Sequence, residues 1–253
     1  MSKFLLLVFC TVMAVGRPVQ SRELADIRRS GEIRLATEGT TPPFNFFENG
    51  RLIGFDIDIG NAIAARLGVR AVWTAAPFDT VLIGLQQDRY DLAVMGQAIT
   101  PARQSAVGFS DPYVCSGGVI VALPGGARHV ADLAGKIIGV QVGTTYLTAA
   151  SAIPKVGRVI TFQKDTDALQ NLLGQRTDVW VSDRLTASYL ATSNPALHLQ
   201  VGDPLFTERD GISLAKGNES LRTAVNQALK AIMADGTYGR IATQRFGKDV
   251  RCD

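Results

Sequence analysis

The sequence is short of histidine and cysteine, and that shortage excludes several kinds of chemistry. Its two histidines, His129 and His198, stand far apart without ligand-like neighbours, and it has only three cysteines. A histidine- or cysteine-rich metal centre is ruled out, no metal or other cofactor is expected, and both histidines read as surface residues. They also leave no pattern for a nucleophile, base and orienter. An excess of one charge sign is missing too: 26 Lys+Arg against 23 Asp+Glu leave a net charge of +3, with 19% of residues charged. No basic cluster interleaves with aromatics, so no nucleic-acid partner is expected. Beyond the first residues, no stretch is long and uniformly apolar enough to cross a membrane.

What the N-terminus does have is a leader-like pattern. Lys3 supplies a short positive start, and residues 4–15 form an apolar run containing Leu5, Leu6, Leu7, Val8 and Phe9. Ala14 and Gly16 stand two apart, as a signal peptidase requires, while Val19 and Ser21 offer a second cut. The run is too short to span a bilayer, and polar Arg17, Gln20, Ser21 and Arg22 follow it. A cleaved signal peptide over residues 1–21 is expected, a buried N-terminal helix being the alternative. Phe9 is too large for a lipobox position ahead of Cys10, so the mature chain should be free rather than lipid-anchored.

Cleavage would leave about 230 residues, enough for one large or two modest domains. It would also remove Cys10 and leave the even pair Cys115 and Cys252. In an oxidising compartment these are either a disulfide or two unpaired buried thiols. A bridge would close a very long loop, worth roughly 4–5 kcal/mol in the chain-entropy model.

From residue 32 onward, strand-like and helix-like segments alternate. Strands are expected at 33–37, 69–76 and 91–96, and helices at 56–67 and 80–87, with a polar turn at Asn49-Gly50. Gly68 is placed to end the first helix in the left-handed conformation. Thr100 and Pro101 read as N-cap and first residue of a further short helix. The rhythm restarts after Ser116: strands at 118–123, 136–142, 158–162 and 178–182, helices at 145–153, 166–173 and 185–192, and a short turn at 130–133. A strand at 211–215 follows, then an amphipathic helix carrying Leu221, Val225, Ala228, Leu229 and Ile232, stopped at Asp235-Gly236. Two successive runs of this kind predict two α/β units, each a mostly parallel sheet covered by helices. The tail after 211 is too short for a domain and long enough to pack back on the first unit.

Seven collinear segments carry a family resemblance. They are Gly54-Phe55-Asp56-Ile57-Asp58-Ile59, Tyr90-Asp91-Leu92-Ala93-Val94-Met95-Gly96, Ile99-Thr100-Pro101-Ala102-Arg103, Phe109-Ser110-Asp111-Pro112-Tyr113, Gly139-Val140-Gln141-Val142-Gly143-Thr144-Thr145, Asp178-Val179-Trp180-Val181-Ser182-Asp183 and Ala234-Asp235-Gly236-Thr237-Tyr238. In this order and spacing, from about residue 32 to 247, the chain resembles the bacterial extracellular solute-binding proteins of the polar amino-acid type. The resemblance implies two doubly wound α/β lobes joined by a two-segment hinge. Lobe 1 is expected over 22–114 plus 207–253 and lobe 2 over 115–206, with crossings near 113–118 and 203–210. It further implies a monomeric periplasmic protein that takes a small-molecule amino acid and hands it to the membrane permease of an ABC transporter.

The chemistry of such a ligand accounts for the residues that the resemblance assigns. A zwitterion needs one counter-charge for each of its two charges, because burying either alone costs several kcal/mol. Arg103 matches the carboxylate-binding arginine, whose fork can make two parallel bonds; on its own it would read as a solvated helix residue. Thr144 and Thr145 open a helix whose free N–H groups suit an anion, or else Thr144 is simply an N-cap. Asp183 matches the ammonium-binding aspartate and can equally cap the helix that follows it. Phe78 stands where an aromatic covers the ligand's side chain, Glu38 borders the side-chain pocket, and Gln141 offers a polar contact from lobe 2. Two departures concern the ligand: Thr41 replaces an aromatic, and Ala98 replaces a hydroxyl residue two positions after Gly96. The second loses a bond worth about 1.5–3 kcal/mol unless Gln97 replaces it.

Two other classes compete. A cyclohexadienyl dehydratase on the same scaffold would need a general acid tuned by burial, and Glu38 and Asp183 are the carboxylates that the motifs place near the site. A receptor-input domain would be expected to continue into a membrane helix and a signalling module. A non-enzymatic binding protein is the favoured expectation.

Overall fold

The computed structural model describes residues 21–252, so the expected leader lies outside the described residues except for its last position. Helix α1 (Leu24–Ser30) and strand β1 (Glu32–Thr37) open the first lobe, followed by β2 (Thr40–Thr41), β3 (Asn45–Glu48), β4 (Arg51–Ile53), α2 (Phe55–Leu67) and β5 (Arg70–Ala75). The lobe continues with α3 (Val81–Gln86), β6 (Leu92–Ala98), α4 (Pro101–Ala106), β7 (Val107–Phe109) and β8 (Val114–Ser116). The second lobe holds β9 (Gly118–Ala122), β10 (Ile137–Gln141), α5 (Thr145–Ala152), β11 (Arg158–Phe162), α6 (Asp165–Leu173), β12 (Val179–Asp183), α7 (Arg184–Ser193) and β13 (Gln200–Pro204). The chain then returns through β14 (Glu208–Ala215), α8 (Glu219–Ala234) and α9 (Thr237–Phe246). No helix among the described residues is long and apolar enough to cross a membrane.

Local chemistry sets these boundaries where the sequence predicts them. Gly68 ends α2 with φ of 76°, its N–H bonded back to Ala64 and Ala65. Thr100 caps α4 by accepting from the N–H of Arg103, with Pro101 in the first turn. Asn49 and Gly50 both have positive φ, 50° and 74°, and close the β3–β4 hairpin as a two-residue turn.

The first sheet runs β5–β1–β6–β14–β7, with β8 also on β14; the second runs β11–β10–β12–β9–β13. In each, the strands linked by helices are parallel: β1 with β5 and β6, β10 with β11 and β12. The sheets are nevertheless mixed, which corrects the mostly parallel expectation. β9 lies antiparallel to β12 and β13, and β14 antiparallel to β6, β7 and β8. These strands enter or leave a lobe without a crossover helix, so nothing forces them to run parallel. Brevity hid β2, β7 and β8 from the sequence, and β13, with Gly202, Asp203 and Pro204, lacks a strand-like pattern.

Both faces of each sheet are covered, giving two apolar clusters per lobe. Ile33, Leu35, Leu92 and Val94 pack beneath α2, α8 and α9, whereas Ala36, Ala93 and Met95 point the other way, onto Val81 and Leu85 of α3. In the second lobe Ile138, Val140, Val179 and Val181 form one cluster and Val119, Val121 and Trp180 join Leu169 and Leu172 in the other. Each fully buried aliphatic side chain contributes about 1.5–3 kcal/mol. The tail rejoins the first lobe through Leu221, Val225, Leu229 and Ile232, all buried.

The two crossings lie side by side. Ser116 is in register with Glu208, and the N–H of Leu205 donates to the Gly118 carbonyl at 2.7 Å. Between them, Gly117 has φ of 150°, and a Cβ there would stand 2.0 Å from the Phe206 carbonyl oxygen. Cys115 and Cys252 form a disulfide with Cα atoms 4.9 Å apart, beside a hydrogen bond from the Cys115 N–H to the Val250 carbonyl. The C-terminus is thus fastened to the strand that leads into the first crossing.

Candidate ligand-binding site

The ends of four parallel strands converge on one cavity, as open α/β sheets present their ligand groups. Glu38 follows β1, Gly96 and Ala98 end β6, Gln141 ends β10 and Asp183 ends β12. Together with Thr41, Phe44, Phe78, Met95, Arg103, Thr144, Thr145, Tyr146, Asp165, Ser182 and Glu208 they line one narrow cavity of about 30 Å³.

Arg103 is not a solvated helix residue. Its side chain folds back so that Nη1 donates to the Ala98 carbonyl at 2.8 Å and Nη2 to the Gly143 carbonyl, across the cleft, at 3.1 Å. The guanidinium carbon sits 5.5 Å from the centre of the Phe78 ring, within cation–π range. Burial lowers its pKa, and nearby Glu208 opposes that shift most strongly. A guanidinium has five N–H donors, so donors remain beyond the two carbonyl bonds.

The second lobe supplies a helix start. Gly143, with φ of 76°, turns the chain into α5. The Thr144 hydroxyl donates to the Gln141 carbonyl at 2.8 Å and accepts from the Leu147 N–H at 3.2 Å, a true N-cap. Asp183 also caps, since Oδ1 accepts from the N–H groups of Leu185 and Thr186 at 2.7 and 2.9 Å. Its other oxygen accepts from the Tyr146 hydroxyl at 3.3 Å, and the residue still borders the cavity. Burial raises the Asp183 pKa against these hydrogen bonds.

A second bond crosses the cleft opposite Arg103. Gln141 Nε2 donates to Glu38 at 2.5 Å and to the Gln163 carbonyl at 3.1 Å, while the Thr41 hydroxyl donates to the other Glu38 oxygen at 3.0 Å. Burial raises the Glu38 pKa, and the hydroxyl and amide donors pull it back. Behind Gly96 runs a buried polar chain: its N–H donates to the Tyr113 hydroxyl, which donates to Asp56, which accepts from Asn45. Burial raises Asp56 to about 6.

One expected residue is elsewhere. Gln97 does not border the cavity; its Oε1 accepts from the Ser213 hydroxyl at 2.9 Å on the neighbouring strand. Gly96, with φ of 57°, interrupts the regular alternation of β6, and the Gln97 side chain beyond it is turned onto β14. It therefore does not replace the bond lost at Ala98.

The cavity also gathers residues that no motif announced. Glu208, at the start of β14, accepts from the Thr145 hydroxyl at 2.7 Å. Asp165 is fully buried, with Trp180 Nε1 donating to one oxygen at 2.8 Å and the Ser182 hydroxyl to the other at 2.6 Å. Burial pushes its pKa to about 7. Trp180 and Ser182 alternate along β12 ahead of Asp183, and that spacing was the available signal.

Residues 33–248 match the model of the bacterial extracellular solute-binding proteins, family 3. The chain belongs to this family. Among relatives of this solute-binding protein is the L-cystine-binding protein TcyJ of Escherichia coli (strain K12), 31% identical over 253 residues, covering 96% of this chain and 94% of that one. The ABC transporter arginine-binding protein 1 of the same strain is 31% identical over 220 residues, 85% of this chain and 90% of that one. An ancestral arginine-binding protein solved bound to arginine superposes with a TM-score of 0.82 at 38% identity, covering 86% of this chain and 99% of that one. The two-lobed solute-binding fold read from the seven segments is thereby established.

Proposed function

We propose that this protein captures a polar α-amino acid in the periplasm and delivers it to the permease of an ABC importer, acting as a monomer after loss of residues 1–21. Lobe 1 comprises 22–116 plus 207–253, the expected boundary after 114 shifting because β8 pairs with β14, and lobe 2 comprises the residues between. The observation that carries this reading is the placement of Arg103 from one lobe and Asp183 from the other on the walls of one cavity. Arg103 takes the α-carboxylate with the Thr144–Thr145 helix start, and Asp183 takes the α-ammonium through its inward oxygen. Phe78, Thr41 and Glu38 border the side-chain end, with Gly96 and Ala98 as the floor. The relatives carry names of binding proteins, which favours capture over turnover. A ligand bonded to Arg103 on one lobe and Asp183 on the other makes both contacts only when the lobes are together, so it favours the closed arrangement over the open one.

A thermal-shift screen of the mature protein against the amino acids tests this. A ligand at a hundred times its Kd stabilises by about 2.7 kcal/mol. Arg103→Ala should abolish the shift, while Asp183→Asn should spare ligands that lack an ammonium group. An unchanged response in both variants would place the site elsewhere.

A further inference from the structure

The charges on the cavity wall do not balance for a simple zwitterion. Glu38, Asp183 and Glu208 border the cavity, with Asp165 holding a proton up to about pH 7, against the single cation Arg103. Glu208 borders the place assigned to the ligand's carboxylate: it receives the Thr145 hydroxyl at 2.7 Å and, without an ion pair to Arg103, is still the strongest charge acting on it. Behind it on the same strand, Asp210 is 1% exposed, and its Oδ1 accepts no hydrogen bond from any described residue. The titratable groups facing this pair are Asp183 at the end of β12, Tyr146 of α5, Arg103 of α4, Asp56 of α2 and the Tyr113 hydroxyl. Two of the five are carboxyl groups, two are neutral phenols and Arg103 is the one cation, so the corner gathers four carboxyls around a single positive charge.

We propose that Glu208, backed by Asp210, is an internal stand-in for the ligand carboxylate at Arg103 and Thr145, so that the site also takes amines that lack a carboxylate. The class is that of the decarboxylated basic amino acids, cations at both ends with an apolar stem. Their ammonium or guanidinium groups meet Asp183 at one end and Glu38, with Asp165 behind it, at the other. An amino acid must instead displace Glu208 from Thr145 or bind beside it, and its own carboxylate is repelled there. This inference rests on the site assignment above and makes Glu208 the residue that sets the balance between acid and amine.

The test is calorimetric titration of the mature wild-type protein and Glu208→Gln with arginine and with agmatine, its decarboxylated form, and with lysine and cadaverine as the second pair. Wild type should bind at least one of the amines. Glu208→Gln should weaken the amine and tighten the amino acid, moving their affinity ratio by about tenfold or more. A tighter complex is an outcome that mere damage to the fold does not produce. Equal losses for acid and amine would overturn the proposal, as would binding of the amino acids with no amine bound by wild type, which leaves the amino-acid reading standing. Binding of amines with no amino acid would sustain the proposal and sink that reading instead.

Discussion

Replacing Asp165 by asparagine should flatten part of the protein's pH–stability profile. The carboxyl is buried with its pKa near 7 against an ordinary 3.8, chiefly through desolvation. Because the folded value is the higher one, the folded protein keeps a proton that the unfolded chain has already released. The stabilisation from that proton is complete below about pH 4 and is lost as pH climbs through about 7. The full span is about 4 kcal/mol, of which roughly 2–3 kcal/mol falls between about pH 5 and about pH 8. Asparagine fits the same geometry: its oxygen can accept from Trp180 and its amide can donate to the Ser182 oxygen, a rearrangement costing on the order of 1 kcal/mol. Asp165→Asn should therefore match wild type within about 1 kcal/mol near pH 5 and exceed it by roughly 2–3 kcal/mol near pH 8. Urea unfolding followed by circular dichroism at several pH values would measure both curves. The other raised carboxyls remain in both proteins, so the difference between the curves isolates this one. Parallel curves would refute the reasoning.

Two other perturbations act on the framework. Cys115→Ser with Cys252→Ser opens a link between residues 137 apart in sequence. It should lower unfolding free energy by about 3–5 kcal/mol and raise the urea m-value, since the unfolded chain expands; an unchanged midpoint would contradict this. Gly117→Ala would put a Cβ 2.0 Å from the Phe206 carbonyl oxygen at φ of 150°. A loss of about 1–3 kcal/mol is expected from differential scanning calorimetry, and a variant as stable as wild type would show that the crossing is not constrained there.

Most helices and several caps were legible because they are local, although α1 and α9 were not placed. Thr100 with Pro101 and Gly68 act through their immediate neighbours, and the structure returns them where the sequence places them. The strands that carry the chain between lobes were not, because β8 and β13 are held by partners more than sixty residues away. The candidate site divides the same way. Arg103, Thr144, Thr145 and Asp183 sit in motifs, and the fold brings them to one cavity. Glu208 lies in no motif; it reaches the cavity because β14 returns beside α5, which no local pattern encodes. Gln97 was the opposite case: it adjoins a motif, but the irregularity at Gly96 turns its side chain onto β14.

The side-by-side crossings have a mechanical meaning. Ser116 pairs with Glu208 on one side of the gap and Gly118 holds Leu205 on the other, so the two connections form one narrow ribbon and not two independent tethers. A pair of free tethers would let one lobe twist, slide and swing against the other. A laced ribbon bends readily across its flat face and resists the remaining motions. Pinning the tail to Cys115 stiffens one end of that ribbon. The expected easy motion between the lobes is therefore a bend across that ribbon, along which Arg103 would return to Gly143 and Gln141 to Glu38.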